Sequence, residues 1–327
     1  MASIREVAQL AGVSPATVSR VMNGTAKVDP AKQERVLQAI EQTGFVPNAV
    51  ARSLFKKSAN LVGLIIPSIR NPFFTELAAY LDKAAARCGY RLFLCDAGSG
   101  DLEQERAALQ MLVSMNADGI ILASTNEEIA EAVAQCPLPV VAVDSLFDTD
   151  RVNAYVYSDD YRGGQMAAAH LLDCGCRSIV CIRGPEGIYS ARSRYEGYRD
   201  FCREHGLPEQ TVCCDYDFHQ GLAMTEELLR IYPDVDGIIA CNDIVAVSTY
   251  KILHKKKIAV PEQIQLIGFD DIHLASLMSP ELTTIHQPIG QLAETAMELL
   301  LEGRGSEKTG ARHVLPVTLV QRETTKV

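Results

Sequence analysis

The sequence predicts an N-terminal all-α helix-turn-helix headpiece followed by an α/β core of two doubly wound parallel-sheet subdomains. Three observations carry this expectation. Two capped helical segments joined by a glycine turn stand between Ser3 and Met22. From residue 60 onward, short continuous apolar runs alternate with helical patterns, as in parallel sheets covered by helices on both faces. The charge is also divided. Residues 1–57 hold eight Lys or Arg against four Asp or Glu, a net of +4, whereas the remainder holds 23 against 37, a net of −14. A basic head on an acidic body favours phosphate contact at the head and discourages coating of a polyanion by the body.

Within the headpiece, Ser3-Ile4-Arg5-Glu6 has capping-box spacing, and Ile4, Val7, Ala8 and Ala11 share one helical face. Gly12 ends this helix by supplying a left-handed residue. Ser14 caps a second helix, Pro15 to Met22, which starts on a proline with no amide hydrogen to satisfy. That helix buries Val18 and Val21 and turns Ala16, Thr17, Ser19 and Arg20 outward. Asp29-Pro30 repeats the cap-plus-proline signal for a third helix ending at Gly44. Two short helices about a glycine turn are the helix-turn-helix unit, whose second helix enters the DNA major groove. Arg20 is the base reader, because a guanidinium pairs bidentately with guanine O6 and N7. Ala16 suits a thymine methyl, and Pro15 offers an apolar surface. Thr17, Ser19 and Asn23 carry short polar groups for phosphates, which position the helix without specifying sequence. With Ser3 at the first cap, these residues form the headpiece's DNA-contacting set.

A short helical pattern follows, Phe45 to Leu54 with Asn48 as its cap, and it runs into Phe55-Lys56-Lys57. Such a segment is too short to be a stable isolated helix in water. Beyond it, Leu61 to Pro67, Arg91 to Asp96, Gly119 to Ala123 and Val140 to Asp144 are apolar strands, with helices Thr75 to Cys88 and Gln104 to Met115 between them. Ile179 to Arg183, Gly237 to Cys241 and Gln265 to Phe269 repeat the pattern, and the two sets divide near Tyr157. Leu282 to Gln287, the helix after Pro288, and Val317 to Val320 cross back between them. The resulting organisation is a headpiece at 1–46, a hinge at 47–59 and a core at 60–327. The core divides into 60–157 with 288–317 and 158–287 with 318–327.

Open parallel sheets bind ligands in the crevice beyond the carboxyl ends of their strands. Asp144 and Asp270 end strands, Asn242 follows another, and Asn71-Pro72-Phe73-Phe74 lies just past the first. Chain order alone therefore gathers them at one cleft if the subdomains face each other. Such acids and amides beside aromatic faces suit a sugar. Each Asp or Asn alone reads equally as a cap for the helix that follows.

Other chemistry is poorly supported. His170, Cys174 and Cys176 have the wrong spacing for zinc, Cys213-Cys214 has no second pair, and seven scattered histidines show no paired spacing, so no metal is expected. Ten cysteines without an export signal point to a reducing cytoplasm, with the protein associated with the nucleoid. No apolar run of about 18 residues is present, so no membrane span is expected. Neither a phosphate-cradling glycine loop nor a nucleophile–base set can be assembled, which argues against an enzyme acting on a sugar phosphate. No cofactor is expected.

"SIREVAQLAGVSPATVSRVMNG" followed by "PNAVARSL" resembles the lactose-repressor family of bacterial regulators across essentially the whole chain. That resemblance implies a transcriptional repressor acting as a homodimer on a palindromic double-stranded operator. It makes Leu54 a minor-groove wedge, with Ala51 beside it, and puts Arg52, Lys56 and Lys57 near flanking phosphates. The body resembles the periplasmic sugar-binding proteins, the ribose-binding protein above all. By that resemblance Phe73, Phe74 and Phe218 stack on a sugar whose hydroxyls are held by Asn71, Asp144, Arg194, Asn242, Asp270 and Gln287. Ser145 departs from the pattern, standing where that receptor has an arginine, and opens room for a different or modified sugar. The implied effector is a pentose, ribose first. A phosphorylated phosphocarrier protein acting on the N-terminal subdomain is the alternative driver, and a purine a further one.

Overall fold

A computed structural model describes residues 2–23, 28–45, 58–98, 100–305 and 308–326. The chain separates into two compact units, Met1–Ala59 and Asn60–Val327.

The first unit holds α1 (Ile4–Ala11), α2 (Pro15–Asn23) and α3 (Pro30–Thr43). Both halves of the capping box form: the Glu6 amide donates to Ser3 Oγ and the Ser3 amide to Glu6 Oε2. Gly12 and Gly44 end α1 and α3 at φ 63° and 61°. Ser14 Oγ accepts from the Thr17 amide at 3.2 Å, and Asp29 from that of Lys32 at 3.2 Å, so the expected caps are in place. Val7, Ala8, Ala11, Val18, Val36 and Ala39 form the core, while Val21 is only partly buried. Helix α2 runs one residue beyond the expected Met22. The hinge residues Ala51, Arg52, Leu54, Lys56 and Lys57 lie outside the described residues.

The second unit contains two six-stranded sheets. The first is built from β1 (Leu61–Ile66), β2 (Arg91–Asp96), β3 (Gly119–Leu122), β4 (Val140–Val143), β5 (Ala154–Ser158) and β11 (Ala311–Leu315). Its order is β11-β5-β4-β3-β1-β2, and all its pairings are parallel. The second uses β6 (Ile179–Arg183), β7 (Gln210–Cys213), β8 (Gly237–Ala240), β9 (Gln265–Asp270), β10 (Thr283–His286) and β12 (Thr318–Val320). Its order is β12-β10-β9-β8-β6-β7, parallel except where β12 runs against β10.

Helices α4 (Pro72–Arg87), α5 (Leu102–Ser114), α6 (Ala130–Gln135) and α11 (Ile289–Glu302) accompany the first sheet. Helices α7 (Asp160–Asp173), α8 (Tyr189–His205), α9 (Phe218–Ile231) and α10 (Asp243–Lys255) accompany the second. Each sheet has one apolar cluster on either side, as parallel strands buried on both faces require. The chain passes between the sheets three times: after β5, after β10 and between β11 and β12.

Three expectations are corrected. Strands β5, β7 and β11 are additional to the apolar runs. Helix α4 begins at Pro72 rather than Thr75, because Asn71 caps it by accepting from the Phe73 amide at 3.1 Å. Leu282 to Gln287 is not itself a crossing: β10 is an inner strand of the second sheet, and the chain crosses just beyond it.

Candidate effector crevice and DNA-reading helix

On α2, Pro15, Ala16 and Arg20 are exposed, Thr17 and Ser19 are half-buried, and Val18 is fully buried against the bundle. One face of the helix thus holds the fold and the other is offered outward. Thr17 Oγ1 sits 3.0 Å from Ser14 Oγ. Ser3 is exposed but occupied by its cap, and Asn23 closes the helix.

The core's polar residues collect at the carboxyl ends of its strands. Asp144 follows β4, Asp270 ends β9, Asn242 caps α10 just past β8, and Gln287 follows β10. Arg194 reaches the same place from α8, where its Nε donates to Asp160 Oδ1 at 2.7 Å and its Nη1 to the Cys241 carbonyl at 2.9 Å. The same Nη1 lies 3.4 Å from Asp270 Oδ1, which also accepts from Gln287 Nε2 at 2.7 Å. Close helix packing makes this reach possible. A Cβ on Gly164 of α7 would fall 2.0 Å from the Arg194 carbonyl oxygen, so only glycine lets α7 and α8 approach this closely. The Arg194 guanidinium lies over the Phe269 ring at 3.7 Å.

Electrostatically, Asp144, Asp160 and Asp270 gather around the Arg194 guanidinium. Burial pushes the Asp144 carboxyl well above its ordinary range; Asp160 and Asp270 reinforce the shift and Arg194 opposes it. Asp160 is raised by burial against the pull of Arg194. Asp270 is pushed up to about 7 by burial, with Arg194 and the Gln287 hydrogen bond holding it down. Burial disfavours the charge on Arg194, but Asp160, Tyr216, Asp270 and Asp144 together more than offset it. Asp144 and Asp270 also sit at φ 53° and 114°, backbone regions that side chains avoid and that functional positions often retain.

Seven buried side-chain atoms among the described residues have no hydrogen-bond partner: Asp144 Oδ1, Ser158 Oγ, Asp160 Oδ2, Arg183 Nε, Tyr216 Oη, Asn242 Nδ2 and Gln287 Oε1. All lie at, or within three residues of, the carboxyl end of a strand. Buried polar groups are almost always paired, so this clustering makes the strand ends the candidate site.

Of the ten expected effector residues, Asp144, Arg194, Asn242, Asp270 and Gln287 meet here. Phe73 and Phe74 are packed edge-on at 5.2 Å in the apolar cluster that also contains Ile272 of the other subdomain. Asn71 serves as the α4 cap. Ser145 is spoken for: its Oγ accepts from the Ser124 amide at 2.7 Å and donates to the Ser124 carbonyl at 2.8 Å. Phe218 is not brought to the cluster. It starts α9, half-buried, under Lys251 Nζ at 5.3 Å, and the aromatic residue just before this helix that feels the Arg194 charge is Tyr216. Asp160, Arg183 and Tyr216 were missed in the sequence, although each obeys the same rule of lying past a strand.

Known proteins agree with this geometry. Residues 3–48 match the model of bacterial regulatory proteins of the lacI family, and residues 168–325 match a periplasmic binding protein-like domain. A ribose operon repressor of Halalkalibacterium halodurans is 38% identical over 327 residues, covering 100% of this chain and 98% of that one. Among solved structures, a periplasmic binding protein/LacI transcriptional regulator from Alkaliphilus metalliredigens, complexed with D-xylulofuranose, superposes with a TM-score of 0.75 at 35% identity. It covers 82% of this chain and 100% of its own. A LacI-family regulator from Enterococcus faecium with bound ribose gives 0.72 at 28% identity, covering 81% and 98%. No described helix is long and apolar enough to cross a membrane. A capped helix-turn-helix unit, a two-sheet core of the periplasmic-binding type and full-length likeness to a repressor together place this chain in the lacI family of bacterial regulatory proteins, as a DNA-binding transcriptional repressor and not an enzyme.

Proposed function

We propose that this repressor senses a pentose, with ribose the first candidate, in the crevice between its two core subdomains. One observation carries the reading: the unpaired buried polar atoms gather at the strand ends, with both donors and acceptors, beside an arginine held by two aspartates. Carboxylates accept from sugar hydroxyls, and Arg194, Asn242 and Tyr216 donate to them. The pentoses bound by the two solved relatives, D-xylulofuranose and ribose, support the same class. A crevice driven only by a phosphocarrier protein would gain nothing from these unpaired groups.

The repressor acts as a homodimer, reading the two half-sites of a palindromic operator through α2, with Arg20 on a base edge and the hinge on the minor groove. Asp144 belongs to one subdomain and Asp160, Arg194 and Asp270 to the other, so a ligand touching both sets biases their relative position. Sugar and operator then weaken each other by the same factor, typically about 1–3 kcal/mol of coupling. Calorimetric titration with ribose tests the reading. Saturable heat that disappears in Asp270→Ala supports it, and silence across ribose, xylulose and xylose would refute it.

A further inference from the structure

We infer that the crevice is built for a sugar carrying an anionic group, seated against Arg183; this deepens the pentose reading and rests on it. Arg183 ends β6, is half-buried, and has its Nε buried without a partner. Among the described residues no carboxylate forms an ion pair with it, and its guanidinium is placed instead against the Tyr195 ring at 5.3 Å. Arg194 differs in having both Asp160 and Asp270 as counter-charges. The two arginines line one cavity with Gly184, Tyr195 and Cys241, and no Asp or Glu lines it. A guanidinium with its Nε buried and unpaired and no carboxylate beside it is well matched by an anion, which a charge-assisted hydrogen bond would hold.

Six of the seven unpaired atoms are also sorted by type; the seventh, Ser158 Oγ, is a hydroxyl that can donate or accept. The donors, Arg183 Nε, Tyr216 Oη and Asn242 Nδ2, follow β6, β7 and β8, which are neighbours in one sheet. Gly184 brings the Tyr216 ring against the Arg183 segment, since a Cβ there would lie 2.9 Å from that ring. The acceptors, Asp144 Oδ1, Asp160 Oδ2 and Gln287 Oε1, lie past β4, β5 and β10. A ligand matching this layout has hydroxyls at one end and an oxygen-rich acceptor, a phosphate ester or carboxylate, at the other. A neutral pentose satisfies only the first half.

The test is calorimetric titration of the full chain with ribose, ribose 5-phosphate and ribonate, repeated on Arg183→Gln, Arg183→Lys and Asp270→Asn. One anionic ligand is expected to bind the native chain about 10- to 100-fold more tightly than ribose, the range of a charge-assisted hydrogen bond. Arg183→Gln should erase that preference, costing the anionic ligand far more affinity than it costs ribose, and Arg183→Lys should restore part of it. Asp270→Asn should weaken all three ligands. Preference for the phosphate or for the carboxylate identifies the group. Ribose binding as tightly as both anions, or a preference surviving Arg183→Gln, overturns the inference and leaves the pentose reading standing. No binding by any of the three overturns both. Melting curves confirm that each variant is folded.

Discussion

Arg194 and Asp160 form a buried pair at 2.7 Å in which one carboxylate oxygen is used and the other has no partner. The arginine is therefore both a structural counter-ion and the positive centre of the crevice. Arg194→Ala leaves Asp160 and Asp270 buried without their cation, which should cost about 3–5 kcal/mol of stability. Urea unfolding measures this, and effector titration of the surviving folded fraction should show no binding. A loss below about 1 kcal/mol would mean the pair is solvated.

Tyr216 and Phe218 make opposing predictions. Tyr216→Phe removes a hydroxyl with no internal partner, so ligand-free stability should stay level or rise by up to about 1 kcal/mol. Effector affinity should fall by about 5- to 30-fold, the value of a lost hydrogen bond to a ligand. Phe218→Ala, at a half-exposed helix start, should change affinity by less than about three-fold. The reverse pattern would restore Phe218 as the stacking residue.

Asp270 should make stability depend on pH. Its carboxyl titrates near 7 in the folded protein, against about 3.9 when unfolded. The folded state thus holds the proton more tightly, and its contribution is complete below about pH 4 and is lost as pH rises to about 7. Across that window the slope attributable to Asp270 is at most about 1.4 kcal/mol per pH unit. Unfolding free energies at several pH values should show a smaller fall with rising pH in Asp270→Asn than in the native chain. Parallel profiles would contradict this.

Gly164→Ala tests how Arg194 is delivered. The added methyl meets backbone rather than a movable side chain, so α7 and α8 must separate. Overpacking of this kind costs about 1–3 kcal/mol, and effector affinity should fall with it. Operator binding without effector, measured by gel shift, should be retained.

On the DNA side, Arg20→Ala should weaken operator binding by about 1–3 kcal/mol and relax preference at one base pair per half-site. Anisotropy titrations at fixed salt against the operator and single-base variants decide this. Equal loss on all sequences would make Arg20 a phosphate contact.

Much of this was legible in the sequence because the physics is local. Caps, a proline at N1 and glycines at helix ends specify the headpiece, and β1, β3, β4, β8 and β9 read as continuous apolar runs since both faces are buried. Strands β7 and β11 escaped because they are edge strands with an exposed face. The acid doublets show where pattern fails. In Asp159-Asp160 the first residue caps α7, accepting from the Arg162 amide, and the second turns inward to Arg194. In Asp270-Asp271 the first faces the crevice, while the second is held by Arg322 at 2.7 Å and His286 at 3.0 Å. In Asn242-Asp243 the first caps α10, and the second accepts from the Ile272 amide and the Thr284 hydroxyl. Spacing alone cannot divide such labour; only the packed helices do.

The three passages between sheets also constrain how the protein is made. The first sheet takes its edge strand from residues 311–315 and one of its covering helices from 289–302, after the whole second sheet except β12 has been laid down. A nascent chain can complete its headpiece from neighbouring segments as soon as they emerge, whereas the first core sheet must wait until residues 289–315 have followed. Non-local pairing of this kind folds slowly and leaves strand edges exposed in the interim. The headpiece is thus formed well before the first core sheet, and chains interrupted ahead of residue 311 should carry a folded headpiece on an incomplete core.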